Sequence, residues 1–182
     1  TEQVVDQDGV YTLDWTAPDD GEYALFVYWM HGTCQTATPS VSTNYTINYM
    51  DSYGVEALID YWEANILTED LREVLLNSGR GEIYMDSLEV ETYGAGGMFW
   101  GYHFKDEFEA RMGYDITPYL PFITAVDGVS TGKEAKSYDY SASNEEDNAT
   151  IEKVRKDYYR VMTDMYEENV LEPLQAWLHE YN

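Results

Sequence analysis

The chain has 182 residues, and 10 Lys+Arg against 35 Asp+Glu give a formal net charge of −25. Such a polyanion is repelled by phosphate backbones and anionic lipid, which argues against nucleic acid and membrane surfaces as direct partners. The apolar fraction of 44% is enough for a core, and 18 Tyr lift the aromatics to 15%, an acid-plus-aromatic bias that suits carbohydrate, because carboxylates accept hydroxyl protons and flat rings stack on sugar C–H faces.

Residues 1–42 read as a β-rich N-terminal region. Val10 to Trp15 alternates, Ala17-Pro-Asp-Asp-Gly21 carries turn chemistry, and Glu22 to His31 is a nearly continuous β-rich run of the kind buried on both faces in an α/β protein. Its apolar part, Tyr23 to Met30, is far shorter than the roughly 20 residues a bilayer span needs. Cys34 is alone, so neither an intrachain disulfide nor a Cys-based zinc site is available.

Residues 43–182 read as βα units. A short strand at Tyr45 to Met50 leads to Asp51-Ser52 as a helix cap, followed by Val55, Leu58, Ile59, Trp62 and Ile66 at helical spacing. Thr68 is placed to cap a second helix that ends at Gly79 and Gly81. Glu82 to Val90 reads as the next strand, with a glycine-rich loop behind it. Phe104 to Met112 is helical with Gly113 as its stop, and Pro118 and Pro121 punctuate the segment behind it. Residues 124–150 are poor in apolar side chains and read as a loop or insertion. From Ile151 a helical stripe runs through Val154, Tyr158, Val161, Met162, Met165, Val170, Leu171, Leu174 and Leu178, with Pro173 expected to kink it or divide it in two.

Alternating strands and helices point to an α/β fold built on a parallel sheet. A complete (β/α)8 barrel takes around 250 residues, so the expected architecture is an incomplete TIM-barrel fragment with an N-terminal β-hairpin region. The start at Thr1, the lack of a charged-then-apolar leader and the end at Asn182 fit the same expectation of a segment whose partner is the remainder of a longer polypeptide.

The sharpest chemical signal is Asp86-Ser-Leu-Glu89, two carboxylates at the end of a predicted buried strand. Alternation sends them to opposite faces, so they share a pocket only if the strand ends or bulges between them. The aromatic segment behind, with Tyr93, Trp100 and His103, is a candidate sugar platform, and His31 and Gln35 end the earlier strand with polar side chains. The bland alternative has the acids facing water and Phe99 and Trp100 covering the end of the sheet. No Ser/His/Asp spacing, phosphate-binding loop or His-based metal motif is present.

Ile83-Tyr-Met-Asp-Ser-Leu-Glu-Val90, together with Phe104-Lys-Asp-Glu-Phe-Glu-Ala-Arg-Met-Gly-Tyr-Asp-Ile-Thr-Pro-Tyr-Leu-Pro121, resembles glycoside hydrolase family 106, the α-L-rhamnosidases. There a strand ending in Asp-Ser-x-Glu precedes a helix and an Arg-x-Gly-Tyr-Asp segment. Leu13 to Pro18, Thr33 to Gln35 and the Lys156-Asp-Tyr-Tyr159 helix leading to Glu168-Asn169 agree in kind. The resemblance implies a barrel that hydrolyses terminal α-L-rhamnosyl linkages with inversion, assisted by calcium. Glu89 is then the general acid, Asp86 its neighbour, and the general base lies on a later strand outside this chain. It implies a rhamnose-containing glycan as substrate, a secreted or cell-envelope bacterial location, and inactivity of the isolated segment. Phe99-Trp-Gly-Tyr102 replaces the usual Asn-Trp-Thr lead into the helix. A non-catalytic carbohydrate-binding or cell-surface module is the alternative.

Overall fold

The computed structural model describes residues 4–7, 10–30, 32, 36–37, 44–78, 81–85, 98–123 and 141–181. In chain order they form β1 (Val4–Gln7), β2 (Val10–Leu13), β3 (Thr36–Ala37), β4 (Asn44–Tyr45), α1 (Ser52–Asn65), α2 (Glu69–Ser78) and α3 (Phe104–Met112). A 3-10 turn at Thr117–Tyr119 comes next, then α4 (Leu120–Ile123), α5 (Glu145–Tyr166), a π-helical turn at Glu167–Leu171, α6 (Glu172–Leu178) and a closing 3-10 turn at His179–Tyr181.

The expected α/β barrel fragment is overturned. Among the described residues the strands pair only as two antiparallel ribbons, β1 with β2 and β3 with β4, and everything else regular is helical. Val10 does begin a strand, but it pairs back onto Val4–Gln7 rather than forward onto 22–31. The run at Tyr23 to Met30 forms no strand and is exposed throughout, with Leu25 at 63% and Trp29 at 71%. β propensity describes how a side chain fits a pleated surface between neighbouring strands, and among the described residues no strand lies beside this run. Residues 46–50 and 81–85 likewise carry no strand. No described helix is long and apolar enough to cross a membrane.

The helices obey their local signals closely. Leu71 N–H reaches Thr68 Oγ1 at 3.3 Å, so Thr68 opens α2. Arg72 closes the other side of the same corner, donating from Nε to Leu67 O at 2.9 Å and from Nη2 to Glu63 O at 2.8 Å, carbonyls at the α1 C-terminus. α3 buries Phe104 and Phe108, one turn apart, and stops at Gly113, whose φ of 78° is the left-handed cap conformation. Asn144 caps α5, accepting the Asp147 N–H at 2.8 Å, so the helix starts at Glu145, inside the expected 124–150 loop.

Two apolar clusters share one spine. Met50, Phe104, Phe108, Ile116, Leu120, Ile123, Val154, Tyr158, Val161 and Met165 form the first. Val55, Leu67, Val170, Leu174, Trp177 and Tyr181 form the second. The spine residues recur every three or four positions from Ile151 to Met165, jump five to Val170, and then resume at Leu174, Trp177 and Tyr181. The five-residue step falls on the π-helical turn, which inserts one residue and re-phases the apolar stripe. Its cause is Pro173, which has no N–H to offer the carbonyl four residues back at Asn169.

Candidate functional site

Asp51 and His103 are the N-cap residues of α1 and α3, and neither side chain caps its own helix. They meet each other instead: His103 Nδ1 lies 2.7 Å from Asp51 Oδ1. The Asp51 side chain is only 2% exposed, whereas that of His103 is 66% exposed. Asp51 Oδ2 also accepts the Tyr102 N–H at 3.1 Å and Asn48 Nδ2 at 2.8 Å, and the Tyr53 hydroxyl lies 3.5 Å away. Asn48 shapes the turn, its Oδ1 accepting the Met50 N–H at 2.8 Å while its amide also donates to Tyr53 Oη at 2.5 Å.

Burial pushes the Asp51 carboxyl up, but hydrogen bonds from His103, Asn48 and the Tyr102 N–H outweigh it and hold the group below its ordinary value. An ionised carboxylate only accepts, so it favours a proton on the facing Nδ1, and in a neutral imidazole that leaves Nε2 as a lone-pair acceptor. Beside it stand the exposed rings of Tyr102 and Tyr53, their centroids 6.3 Å apart and planes inclined by 46°. A hydroxyl acceptor on a surface that also exposes tyrosine rings is the chemistry of a polyol contact.

Two glycines make the approach possible. A Cβ on Gly101 would sit 2.7 Å from Met50 Cβ and 2.9 Å from Asp51 Oδ2. One on Gly54 would sit 2.0 Å from the Asn48 carbonyl oxygen. Both sides of the site are tied to the spine: Asn169 Nδ2 donates to Met50 O at 2.8 Å, and the Tyr158 hydroxyl donates to Phe99 O at 2.8 Å. The Arg-x-Gly-Tyr-Asp segment serves the same scaffold. Arg111 holds Glu168 through two bonds of 2.8 and 2.6 Å, Tyr114 donates to Asp157 at 2.7 Å, and Asp115 receives the Thr117 N–H and hydroxyl at 3.0 and 2.7 Å. The ion pair and its hydrogen bonds raise the Arg111 pKa, led by the bond to Glu168.

Of the residues singled out from the sequence, His103 is the exposed polar group of this site. Trp100 is partly buried, its ring 4.8 Å from Phe104 and packed on the first apolar cluster, so it covers the core. Glu89, Asp86, Tyr93, His31 and Gln35 lie outside the described residues. Asp51 and Tyr53 escaped the sequence reading, whereas Tyr102 lies in the aromatic segment Phe99 to His103 that it singled out. Asp51 carries only a cap signal there, and its partner is 52 residues away.

Among the described residues no three His, Cys, Asp or Glu side chains assemble a metal site. Asp51, the buried carboxylate, already has both oxygens engaged by Nδ1, amide and backbone donors, so this donor set does not fit a calcium ion.

The family model described as alpha-L-rhamnosidase, glycoside hydrolase family 106, matches residues 1–182. No curated protein and no solved structure matches the chain.

Proposed function

Because the chain belongs to the alpha-L-rhamnosidase family of glycoside hydrolases, we propose that it supplies the general acid and part of the sugar-binding surface of a glycosidase that releases terminal α-L-rhamnosyl residues with inversion. The observation that carries the sugar-binding half is the exposed His103, paired with buried Asp51 on the surface that also carries the exposed, mutually contacting rings of Tyr102 and Tyr53. A neutral hydroxyl-rich ligand suits it, since among the described residues no Lys or Arg side chain forms an ion pair with Asp51 or His103.

In this reading Glu89 is protonated before the reaction and passes its proton to the departing glycosidic oxygen as the bond from the anomeric carbon breaks. That role needs a Glu89 pKa above the ordinary carboxylate value, which partial desolvation or a nearby carboxylate such as Asp86 would supply. A water molecule attacks the opposite face and yields its proton to a second carboxylate, which inversion requires at about 6.5–9.5 Å. His103 accepts a sugar hydroxyl and holds the ring, with Tyr93, His31 and Gln35 as further contacts. Calcium at the sugar hydroxyls belongs to the proposal through the family alone, and no step here runs through it. The substrate is a rhamnose-containing glycan or glycoside met outside the cell or at its envelope.

The test is hydrolysis of an aryl α-L-rhamnoside by the enzyme that carries this chain, with and without Glu89→Gln. Loss of nearly all turnover supports the acid assignment, and ordinary turnover overturns it. Binding of rhamnosides by the parent protein with no hydrolysis identifies a carbohydrate-binding module instead.

A further inference from the structure

The proposed function leaves open why a histidine that faces solvent is backed by a carboxylate that does not. Asp51 sits at the start of α1, where an aspartate ordinarily caps the helix, and its carboxylate turns away to the His103 imidazole, the Tyr102 N–H and the Asn48 amide. Asn48 and Tyr102 fix one oxygen and leave the other for Nδ1. The arrangement is built rather than incidental: Gly101 and Gly54 are the two positions where a side chain would push the carboxylate or its turn away.

We propose that Asp51 is a positioning residue that locks His103 in the Nδ1–H tautomer and aims Nε2 outward as the acceptor for one hydroxyl of a neutral sugar. This rests on the sugar-binding reading and adds to it the protonation state and direction of the hydrogen bond. A free neutral imidazole exchanges between tautomers and rotates about its side-chain torsions. Held at Nδ1, it offers a lone pair in one direction, so the sugar meets a preorganised acceptor instead of ordering the ring on arrival. Among the described residues Nε2 has no protein partner, so the acceptor is available.

The experiment is nitrogen-15 NMR of the imidazole side chains in the whole chain. There are three histidines, and loss of one signal pair in His103→Gln assigns that residue. The expected result is a protonated Nδ1 and an unprotonated Nε2 in the neutral form, with the Nε2 resonance moving as L-rhamnose is added. In Asp51→Asn, isosteric and itself a good cap, the ring relaxes to a tautomer mixture. L-rhamnose then binds about tenfold more weakly, the loss of one well-placed hydrogen bond. An Nε2–H form in the unsubstituted protein overturns the role of Asp51, and that measurement stands whether or not the variant folds. An Nδ1–H form whose Nε2 ignores L-rhamnose overturns the sugar contact. Failure of the hydrolysis assay with both NMR results as expected removes the glycosidase reading and keeps this one.

Discussion

Glu63, on the last turn of α1, offers the most quantitative test of how the helices are held. Its carboxylate accepts the Tyr181 hydroxyl at 2.5 Å and Trp177 Nε1 at 2.6 Å, and pairs with Arg72, so one acid joins α1, α2 and the C-terminal turns. Hydrogen bonds from Tyr181, then Trp177, with Arg72 behind them, hold its pKa down at about 2 against an ordinary 4.5. That depression corresponds to about 3 kcal/mol of folding stability. The Glu63 side chain is 31% exposed, and screening by solvent brings the expectation to roughly 1–2 kcal/mol. A carboxyl whose folded pKa is depressed stabilises the fold above its unfolded value, and that stability is lost as pH falls through the folded one. Glu63→Gln therefore lowers stability at pH 6 and converges on the unsubstituted protein between about pH 4.5 and 2. Urea unfolding monitored by tryptophan fluorescence across that range measures the gap. A gap that is absent at pH 6, or that stays constant down to the folded pKa, refutes the linkage.

Two other expectations come from the contacts around the site. Gly54→Ala places a methyl group against the Asn48 carbonyl oxygen, and the overlap costs about 1–3 kcal/mol in thermal or urea unfolding while displacing the His103 imidazole resonances; an unchanged melting temperature and spectrum contradict the close packing. Arg111→Lys keeps the charge but removes the fork that grips Glu168 and Glu107, so it destabilises by about 1 kcal/mol, and the loss shrinks in high salt; equal stability of the two proteins refutes a bidentate role.

The helical part of this fold was legible because its signals are local. Phe104, Phe108 and Gly113 delimit α3 within a ten-residue window, Thr68 announces α2, and Pro173 marks the turn it distorts. The sheet was misread for the opposite reason: the run from Tyr23 to Met30 has strand composition, but pairing depends on partners that no window of sequence contains. The site was half legible. His103 was visible as a histidine among aromatics, while the Trp100 beside it turned inward onto Phe104 and the more exposed Tyr102 took the open position. Asp51 read as a cap because every local cue for a cap is there. Only the approach of residues 102–103 to the start of α1 reveals the other use of its carboxylate.

The two tethers to the spine carry a consequence for how this surface evolves. Tyr158 and Asn169 hold the chain at Phe99 and Met50 respectively, the first on α5 and the second within the π-helical turn. The inserted residue thus acts as a spacer between two anchor points, and the 2.7 Å contact of Asp51 with His103 reads out its length. A single-residue insertion or deletion in that turn would be felt at a pair of side chains it never touches. The length of a helix behind the surface is therefore part of what sets the Asp51–His103 contact.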